Sequence, residues 1–171
     1  MTKKTSANNG SGNNINRDDW ETPQWLYDLL NEQYGFNFDC CATLDNAKSS
    51  FAENFLDTSK LFMNIHIAWM NPPFSKARTM FEHFFCVVSK GVAIYRCDNF
   101  ETQIWQETIF SLCDWVFIPN KRINYESKNG KGSRFPSALI GKGLKPPENI
   151  KGTLLYISNK KLNEDDKHEK N

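Results

Sequence analysis

The sequence predicts a single-domain α/β fold with a mixed sheet, and three observations support this prediction. Short apolar strands alternate with amphipathic helices through the centre of the chain. Towards its end strands follow one another without helices, which is typical of an antiparallel sheet edge. The length of 171 residues fits one compact domain, and a hydrophobic share of 39% can supply its core.

Both ends of the chain are poor in apolar residues. Residues 1–17 are rich in Asn, Ser, Gly and Lys, and residues 159–171 are strongly charged. Such segments bury too little apolar surface to fold, so we expect both to be disordered. The folded domain is therefore expected to span residues 18–158.

The first helix is predicted to begin with Thr22 as its N-cap and Pro23 as its first helical residue. Gly35 is expected to end it. Its apolar face is expected to contain four side chains: Trp25, Leu26, Leu29 and Leu30. Residues 36–41 then predict a short strand, whereas residues 46–56 fit a helix or an irregular connection equally well.

Residues 65–70 predict a buried strand that leads directly into a loop, Asn71-Pro72-Pro73-Phe74. Two consecutive prolines stop any regular element, so this loop lies at the carboxyl end of the strand. A helix is expected over residues 76–88. Its apolar stripe is Met80, Phe81, Phe84, Phe85 and Val88.

The second half of the domain is predicted to be rich in strands. Strands are expected at residues 91–96 and 115–118, separated by a helix at residues 102–110. Residues 122–125 and 135–140 predict two strands joined by a glycine-bearing loop at residues 128–132. A last strand is expected at residues 154–157.

Charge is distributed unevenly along a chain whose formal net charge is only +1. Residues 18–70 hold nine acidic residues against two basic ones, and residues 119–145 hold seven basic residues against one acidic one. A basic segment of this kind can bind a phosphate backbone, although it also fits a solvated loop. The candidate DNA-binding residues are Lys76, Arg78, Lys121, Arg122, Lys128, Lys131 and Arg134.

The five cysteines form no C-x-x-C pair, and their number is odd. This pattern predicts neither a zinc site nor a disulfide framework, so we expect no metal and a reducing compartment. His66 and His83 are interpreted as structural residues. With no signal peptide and no apolar run that could span a bilayer, the protein is expected to be cytoplasmic and free of membrane partners.

The loop Asn71-Pro72-Pro73-Phe74 has the chemistry needed to act on a planar amine. In open α/β sheets, ligands bind beyond the carboxyl ends of strands. The Asn71 side-chain carbonyl and the Pro72 backbone carbonyl can accept the two hydrogens of an adenine amine and localise its lone pair. Phe74 can stack on a base that has been flipped out of a duplex.

Three ordered motifs resemble the phage-type DNA N-6-adenine methyltransferase (Dam) family. The family's W-x-T-P segment is matched by residues 20–23, its D-P-C-A-like strand end by residues 39–42, and its N-P-P-Y/F loop by residues 71–74. The stretches 122–125 and 135–139 resemble the family's closing segment. The resemblance implies a reduced Rossmann-like, S-adenosylmethionine-dependent methyltransferase fold over residues 18–158.

The resemblance also implies how the domain binds its ligands. Asp39 would accept a hydrogen bond from the methyl donor, most simply from its ammonium group, and the loop at residues 71–74 would hold the adenine. The cofactor-binding residues carried over in this way are Trp20, Thr22, Pro23, Asp39 and Cys41. Double-stranded DNA would be the partner. A phage or prophage origin and protection of DNA from restriction are implied likewise.

Two departures from the family pattern affect the donor site. Cys40 stands where the family has proline, and no glycine-rich loop follows Asp39. Asp57 lies 18 residues after Asp39, near the spacing expected for an acid that binds ribose, although a surface position fits it as well. Cys41 has no base nearby in sequence and is not expected to act as a nucleophile.

Two alternatives stay open at the level of sequence. N-P-P-Y/F loops also occur in methyltransferases that act on RNA or on a protein glutamine amide, because each substrate presents a planar amine. A catalytically inactive DNA-binding relative is the second alternative, and the presence of both Asp39 and Asn71 argues against it.

Overall fold

The structure, a computed structural model, describes residue 18 and residues 20–57, 65–126 and 135–158. The terminal segments 1–17 and 159–171 lie outside these described residues. The strands are β1 Phe38–Asp39, β2 Ser50–Phe51, β3 Ala68–Met70, β4 Gly91–Arg96, β5 Trp115–Pro119, β6 Ser137–Lys142 and β7 Gly152–Ile157. The helical elements are α1 Gln24–Tyr34, a 3₁₀ turn Phe74–Lys76, α2 Ala77–Val87, a π-helix Ile104–Ile109 and α3 Phe110–Leu112.

The strands form one seven-stranded sheet in the order β2-β1-β3-β4-β6-β5-β7. Strands β2, β1, β3 and β4 are parallel neighbours. Strand β6 is antiparallel to both β4 and β5, so β4 and β5 run in the same direction. The carboxyl ends of β1, β3, β4 and β5 therefore lie at one end of the sheet, which we call the carboxyl end. The predicted α/β fold with a mixed sheet is confirmed.

Alternating side chains of the central strands pack into a core on each face of the sheet. On β3, Ala68 and Met70 pack with α2, whereas Trp69 lies on the opposite face with the buried side chains of α1. The predicted apolar stripe of α2 is confirmed, because its five side chains are all buried. The sheet is covered by α1 on one face and by α2 and the π-helix on the other.

Helix α1 begins later than predicted and buries a different face. Pro23, not Thr22, is the N-cap, and no side-chain cap hydrogen bond forms. Trp25 is 54% exposed, because the buried stripe runs through Leu26, Leu30 and Tyr34 with four-residue spacing, and Trp25 lies off that stripe. Gly35 ends the helix as predicted, in the left-handed conformation with φ 67°.

The strand predicted at residues 122–125 is absent, and so is its hairpin with the next strand. Ile123 and Tyr125 are buried and their neighbours exposed, which is the alternation of a strand, but they pack on an aromatic cluster without a ladder. An isolated bridge, Glu21 to Glu126, pairs the end of this segment. Strand β6 pairs with β4 and β5 instead. The predicted loop at residues 128–132 lies outside the described residues.

Two further predictions differ in detail. The helix expected at residues 102–110 contains a π-helix, Ile104–Ile109, in which the Phe110 N–H donates to the Trp105 carbonyl. The Trp105 ring packs against Phe100 and Phe110, at 4.7 Å and 5.3 Å between ring centres. Residues 46–56, left open between helix and irregular connection, form turns and the short strand β2.

Candidate functional site

A cavity of about 370 Å³ lies at the carboxyl end of β1 and β3, a volume typical of small-molecule sites. Its described lining comes from three chain segments: Asp18, Trp20, Glu21 and Thr22; Asp39, Cys41, Ala42, Thr43, Asp45, Asn46 and Lys48; and Trp69, Asn71 and Pro73. Six of the residues predicted for donor or adenine binding are among them. Pro23, Asp57, Pro72 and Phe74 are not part of this described lining.

Strand pairing explains why Asp39 and Asn71 meet at this cavity. β1 and β3 are parallel neighbours in which Asp39 is in register with Trp69. The Cys40 N–H donates to the Trp69 carbonyl at 2.9 Å, which extends the pairing to the strand ends. Because both strands end here, the residues that follow them open into the same space.

Asp39 is a buried carboxylate with few partners. Its Oδ1 accepts the Cys41 N–H at 3.2 Å, and the Lys48 backbone N–H also donates to the carboxylate. Burial raises its pKa from the usual 3.8 to about 6, although these two donors and the Lys48 charge lower it. Ionising this buried carboxyl group at neutral pH costs free energy, and carboxyl groups whose pKa is shifted by burial are typical of binding sites.

The raised pKa of Asp39 predicts a pH-dependent gain in stability for Asp39→Asn. The folded carboxyl binds its proton more tightly than the unfolded chain, so the wild type loses stability as pH rises from about 4 through about 6. The asparagine variant has no such loss. We expect its free energy of unfolding, relative to the wild type, to increase by about 2–3 kcal/mol between pH 4 and pH 7 in urea titrations. A constant difference across this range would contradict the burial of an ionising Asp39.

Thr22 lines the cavity and has a buried hydroxyl. The residue is only 3% exposed, and its Oγ1 has no hydrogen-bond partner among the described residues. Leaving a buried polar group unpaired costs about 1–3 kcal/mol. Because Thr22 lines the cavity, a bound polar ligand can supply the missing partner.

The Asn71 side chain is oriented by a hydrogen bond from its amide to the chain at Trp20. Its Nδ2 donates to the Trp20 backbone carbonyl at 2.8 Å. A carbonyl only accepts, so the NH₂ group must face Trp20, and this fixes which end of the amide is the oxygen. Among the described residues no hydrogen bond to that oxygen is found, so it remains available as an acceptor.

Asp18 and Trp20 contact the two ends of the stretch at residues 71–75. Beyond the bond between Trp20 and Asn71, the Ser75 N–H and Oγ donate to the Asp18 carboxylate at 2.9 Å and 2.5 Å. Glu21 pairs through its backbone with Glu126, at 3.0 Å in both directions. The cavity is therefore closed by chain segments that are distant in sequence.

Cys41 is a neutral thiol in this site. Burial and the nearby Asp39 carboxylate raise its pKa well above the usual range, although the Asn71 backbone N–H partly opposes this. A thiol that does not ionise is a poor nucleophile. Its position is therefore that of a wall residue.

Phe74 lies in an aromatic cluster beside the cavity. Its ring centre is 5.2 Å from that of Phe135 and 5.8 Å from that of Tyr95. The Arg96 guanidinium carbon lies 5.8 Å from the Phe74 ring centre and 5.3 Å from that of Phe135. Trp20, which lines the cavity, contacts the edge of the same cluster at Phe135. The aromatic surface and the cavity are thus continuous through Trp20.

The basic residues proposed for DNA differ in their surroundings. Lys121 and Arg122 are exposed and follow β5, so they lie at the carboxyl end of the sheet. Lys76 is exposed at the end of the 3₁₀ turn. Arg78 pairs with Glu82 and Glu107, each at 2.9 Å, which makes it a weaker candidate for phosphate. Lys128, Lys131 and Arg134 lie outside the described residues.

Several residues that line the cavity were not predicted from the sequence. The stretch 42–48 follows Asp39 directly, and its position after a strand end was a usable signal. Asp18, Glu21 and Trp69 had no such signal, because their places depend on contacts between distant segments. Asp57, predicted from spacing alone, lies in the turn after β2, where its N–H donates to the Asn54 carbonyl.

The structure is that of an α/β protein with a cavity beside an Asn-Pro-Pro-Phe loop, at the carboxyl ends of parallel strands. Residues 11–166 match the model of the DNA N-6-adenine-methyltransferase (Dam) family, and the chain belongs to this family. A comparison with curated proteins found no match. The mixed sheet agrees with the expected Rossmann-like fold of S-adenosylmethionine-dependent methyltransferases.

In the described part of the chain, no group of three or more His, Cys, Asp or Glu residues is arranged to hold a metal ion. No helix in those same ranges has the length and apolar character needed to cross a membrane.

Proposed function

We propose that this member of the Dam family transfers a methyl group from S-adenosylmethionine to the exocyclic amine of an adenine flipped out of duplex DNA. The observation that supports this proposal most strongly is that three residues line one cavity. They are Asp39 with its buried carboxylate, Thr22 with its unpaired hydroxyl, and Asn71 with its oriented amide. The first two suit a cationic, polar donor, and the third suits an amine acceptor.

The residues present fit the proposed donor in charge and size. Four acidic residues and one basic residue are among the described lining of a cavity of about 370 Å³. Such a lining favours a ligand with net positive charge. When bound, S-adenosylmethionine would supply a methyl group already activated by its positively charged sulfur. The amine nitrogen would form a bond to this methyl as the bond from methyl to sulfur breaks, which leaves neutral S-adenosylhomocysteine, and one amine proton would pass to solvent. Asp39 would hold the donor's ammonium, and the Thr22 hydroxyl would pair with another polar group.

Catalysis in this proposal is positioning and electrostatic stabilisation by the 71–74 loop. The Asn71 Oδ1 and the Pro72 carbonyl accept the two amine hydrogens, which localises the lone pair on the nitrogen. The bond from Asn71 Nδ2 to Trp20 holds the acceptor in place before substrate binds. Phe74 and its aromatic neighbours offer the surface on which the flipped base stacks.

The charge pattern supports separate places for donor and DNA. An acidic cavity repels phosphates, so the backbone must be held elsewhere. The described candidates for binding the backbone are the exposed Lys121 and Arg122, at the carboxyl end of the sheet, and Lys76, which follows the 71–74 loop in sequence. We propose Lys128, Lys131 and Arg134 as further DNA-binding residues on the basis of their charge alone.

The experiment that tests the proposed function offers the purified chain a labelled methyl donor with three acceptors: duplex DNA, RNA and a protein mixture. We expect label in DNA and only background in the other two. Label in RNA or protein would favour the alternative amino-methyltransferases. Binding of DNA without any transfer would favour the inactive relative.

The DNA surface predicts a change in salt dependence. The Lys121→Ala/Arg122→Ala variant should lower the magnitude of the slope of log K against log salt by about 2, since each phosphate contact contributes about 0.9. The matched control, Lys90→Ala/Lys145→Ala, removes the same charge from exposed residues near the amino end of β4. Equal slopes for the two double variants would remove Lys121 and Arg122 from the DNA surface.

The biological setting is proposed from the family resemblance. We propose a phage or prophage gene, acting in the bacterial cytoplasm, whose product protects DNA from restriction. Expression in a host that lacks adenine methylation should make plasmid DNA resistant to restriction enzymes blocked by this mark. Plasmid cut as readily as from an empty host would argue against that role.

A further inference from the structure

Lys48 stands out in the cavity because the other charged residues in its described lining are acidic. Its Nζ donates to the Gln24 Oε1 at 2.8 Å and lies 5.9 Å from the centre of the Tyr27 ring. Gln24 is itself held by Asp28, to which its Nε2 donates at 2.7 Å. Helix α1 therefore holds the ammonium group, and among the described residues Gln24 is its one hydrogen-bond acceptor, so further N–H groups remain for a ligand.

Lys48 is also tied directly to Asp39. Its backbone N–H donates to the Asp39 carboxylate, and its side-chain charge acts on the same carboxylate. One positive and one negative group thus line the same cavity, and the charge of the first acts on the second. This arrangement complements a ligand that has an ammonium and a carboxylate on the same carbon atom.

The other charged residues of the cavity make it selective for the kind of ligand that binds there. Asp18, Glu21 and Asp45 also line the cavity and would repel a ligand carboxylate. A ligand with only an ammonium group needs no basic residue there, whereas an α-amino acid needs one. The position of Lys48 beside Asp39 supplies that group.

We propose that Lys48 binds the carboxylate of the methyl donor and, with Asp39, forms a receptor for the zwitterionic amino-acid end of the molecule. This inference rests on the proposed function, and it assigns to Lys48 the discrimination between donors with and without a carboxylate. Gln24 and Tyr27 act as positioning residues that hold the lysine.

The test is a calorimetric titration of wild type and Lys48→Met with three ligands. S-adenosylhomocysteine has both charged groups, its decarboxylated analogue has only the ammonium, and 5′-methylthioadenosine has neither. We expect Lys48→Met to lose about tenfold or more in affinity for the first ligand, as a charge-assisted hydrogen bond disappears. Affinity for the decarboxylated analogue should stay the same or rise, because a repelling charge is removed. Affinity for 5′-methylthioadenosine should not change.

The controls separate this inference from the proposed function. Lys90→Met changes an exposed lysine at the opposite end of the sheet and should bind all three ligands as the wild type does. Equal losses for S-adenosylhomocysteine and its decarboxylated analogue would show that Lys48 acts only through the shape of the site, and would overturn the inference while donor binding stands. If the wild type bound none of the three ligands, the donor assignment would fail and the inference with it.

Discussion

Asn71→Ala is expected to lower kcat for methyl transfer by two orders of magnitude or more. The variant removes a preorganised acceptor whose bond to the amine strengthens as the nitrogen becomes tetrahedral, and loss of one such polar partner costs about 3–4 kcal/mol in the transition state. The hydrogen bond from Asn71 Nδ2 to the Trp20 carbonyl orients the amide before substrate arrives, and the alanine variant has no side-chain oxygen at this position. The measurement is single-turnover transfer at saturating donor and DNA.

Two variants make this result specific. Asn149→Ala removes the same kind of bond, from an Asn amide to a backbone carbonyl, but at Leu29 on helix α1. It should leave kcat unchanged. Asn71→Asp keeps an oxygen acceptor and should retain more activity than the alanine variant. If Asn71→Ala turned over at near the wild-type rate, the loop at residues 71–74 would not be the catalytic site.

Asp39→Asn is expected to weaken donor binding by about tenfold to a hundredfold at pH 8. The variant replaces a charge-assisted hydrogen bond with a neutral one, a loss of about 1.5–3 kcal/mol. The free energy of unfolding of the same variant, measured in urea at pH 8, separates a loss of donor affinity from a loss of folding. Calorimetric titration with S-adenosylhomocysteine gives the affinity directly.

The pH dependence of donor binding gives an independent check on Asp39. Burial sets the pKa of Asp39 at about 6 in the free protein, so the carboxyl is protonated below this pH and must lose its proton to pair with a cation. Wild-type affinity should therefore fall by about tenfold per pH unit well below pH 6. The Asp39→Asn variant should show a flat profile through this range. Parallel profiles for the two proteins would exclude Asp39 as the donor's partner.

The parts of the fold that sequence predicted well depend on local patterns. Strand β4 has the predicted bounds, and the buried face of α2 follows from its apolar spacing. The loop at residues 71–73 follows from two prolines after an apolar run. The proximity of Asp39 and Asn71 could be anticipated because parallel strands bring their carboxyl ends together.

The parts that sequence missed depend on contacts between distant segments. Ile123 and Tyr125 alternate with exposed residues, yet this pattern arises from an extended segment packed on aromatic side chains. Asp18 reaches the cavity because it accepts hydrogen bonds from Ser75, and no periodicity predicts that. Lys48 is placed by a side chain of helix α1. Long-range pairing of this kind leaves no local signal in composition or spacing.

The most direct test of the account is to locate the transferred methyl group. Duplex DNA is incubated with the protein and a donor carrying a deuterated methyl group, digested to nucleosides and analysed by mass spectrometry. We expect the label in N6-methyladenine for the wild type, and about a hundredfold slower formation of labelled N6-methyladenine for Asn71→Ala at saturating donor. Label in a methylated cytosine, or N6-methyladenine formed equally well by Asn71→Ala, would contradict it.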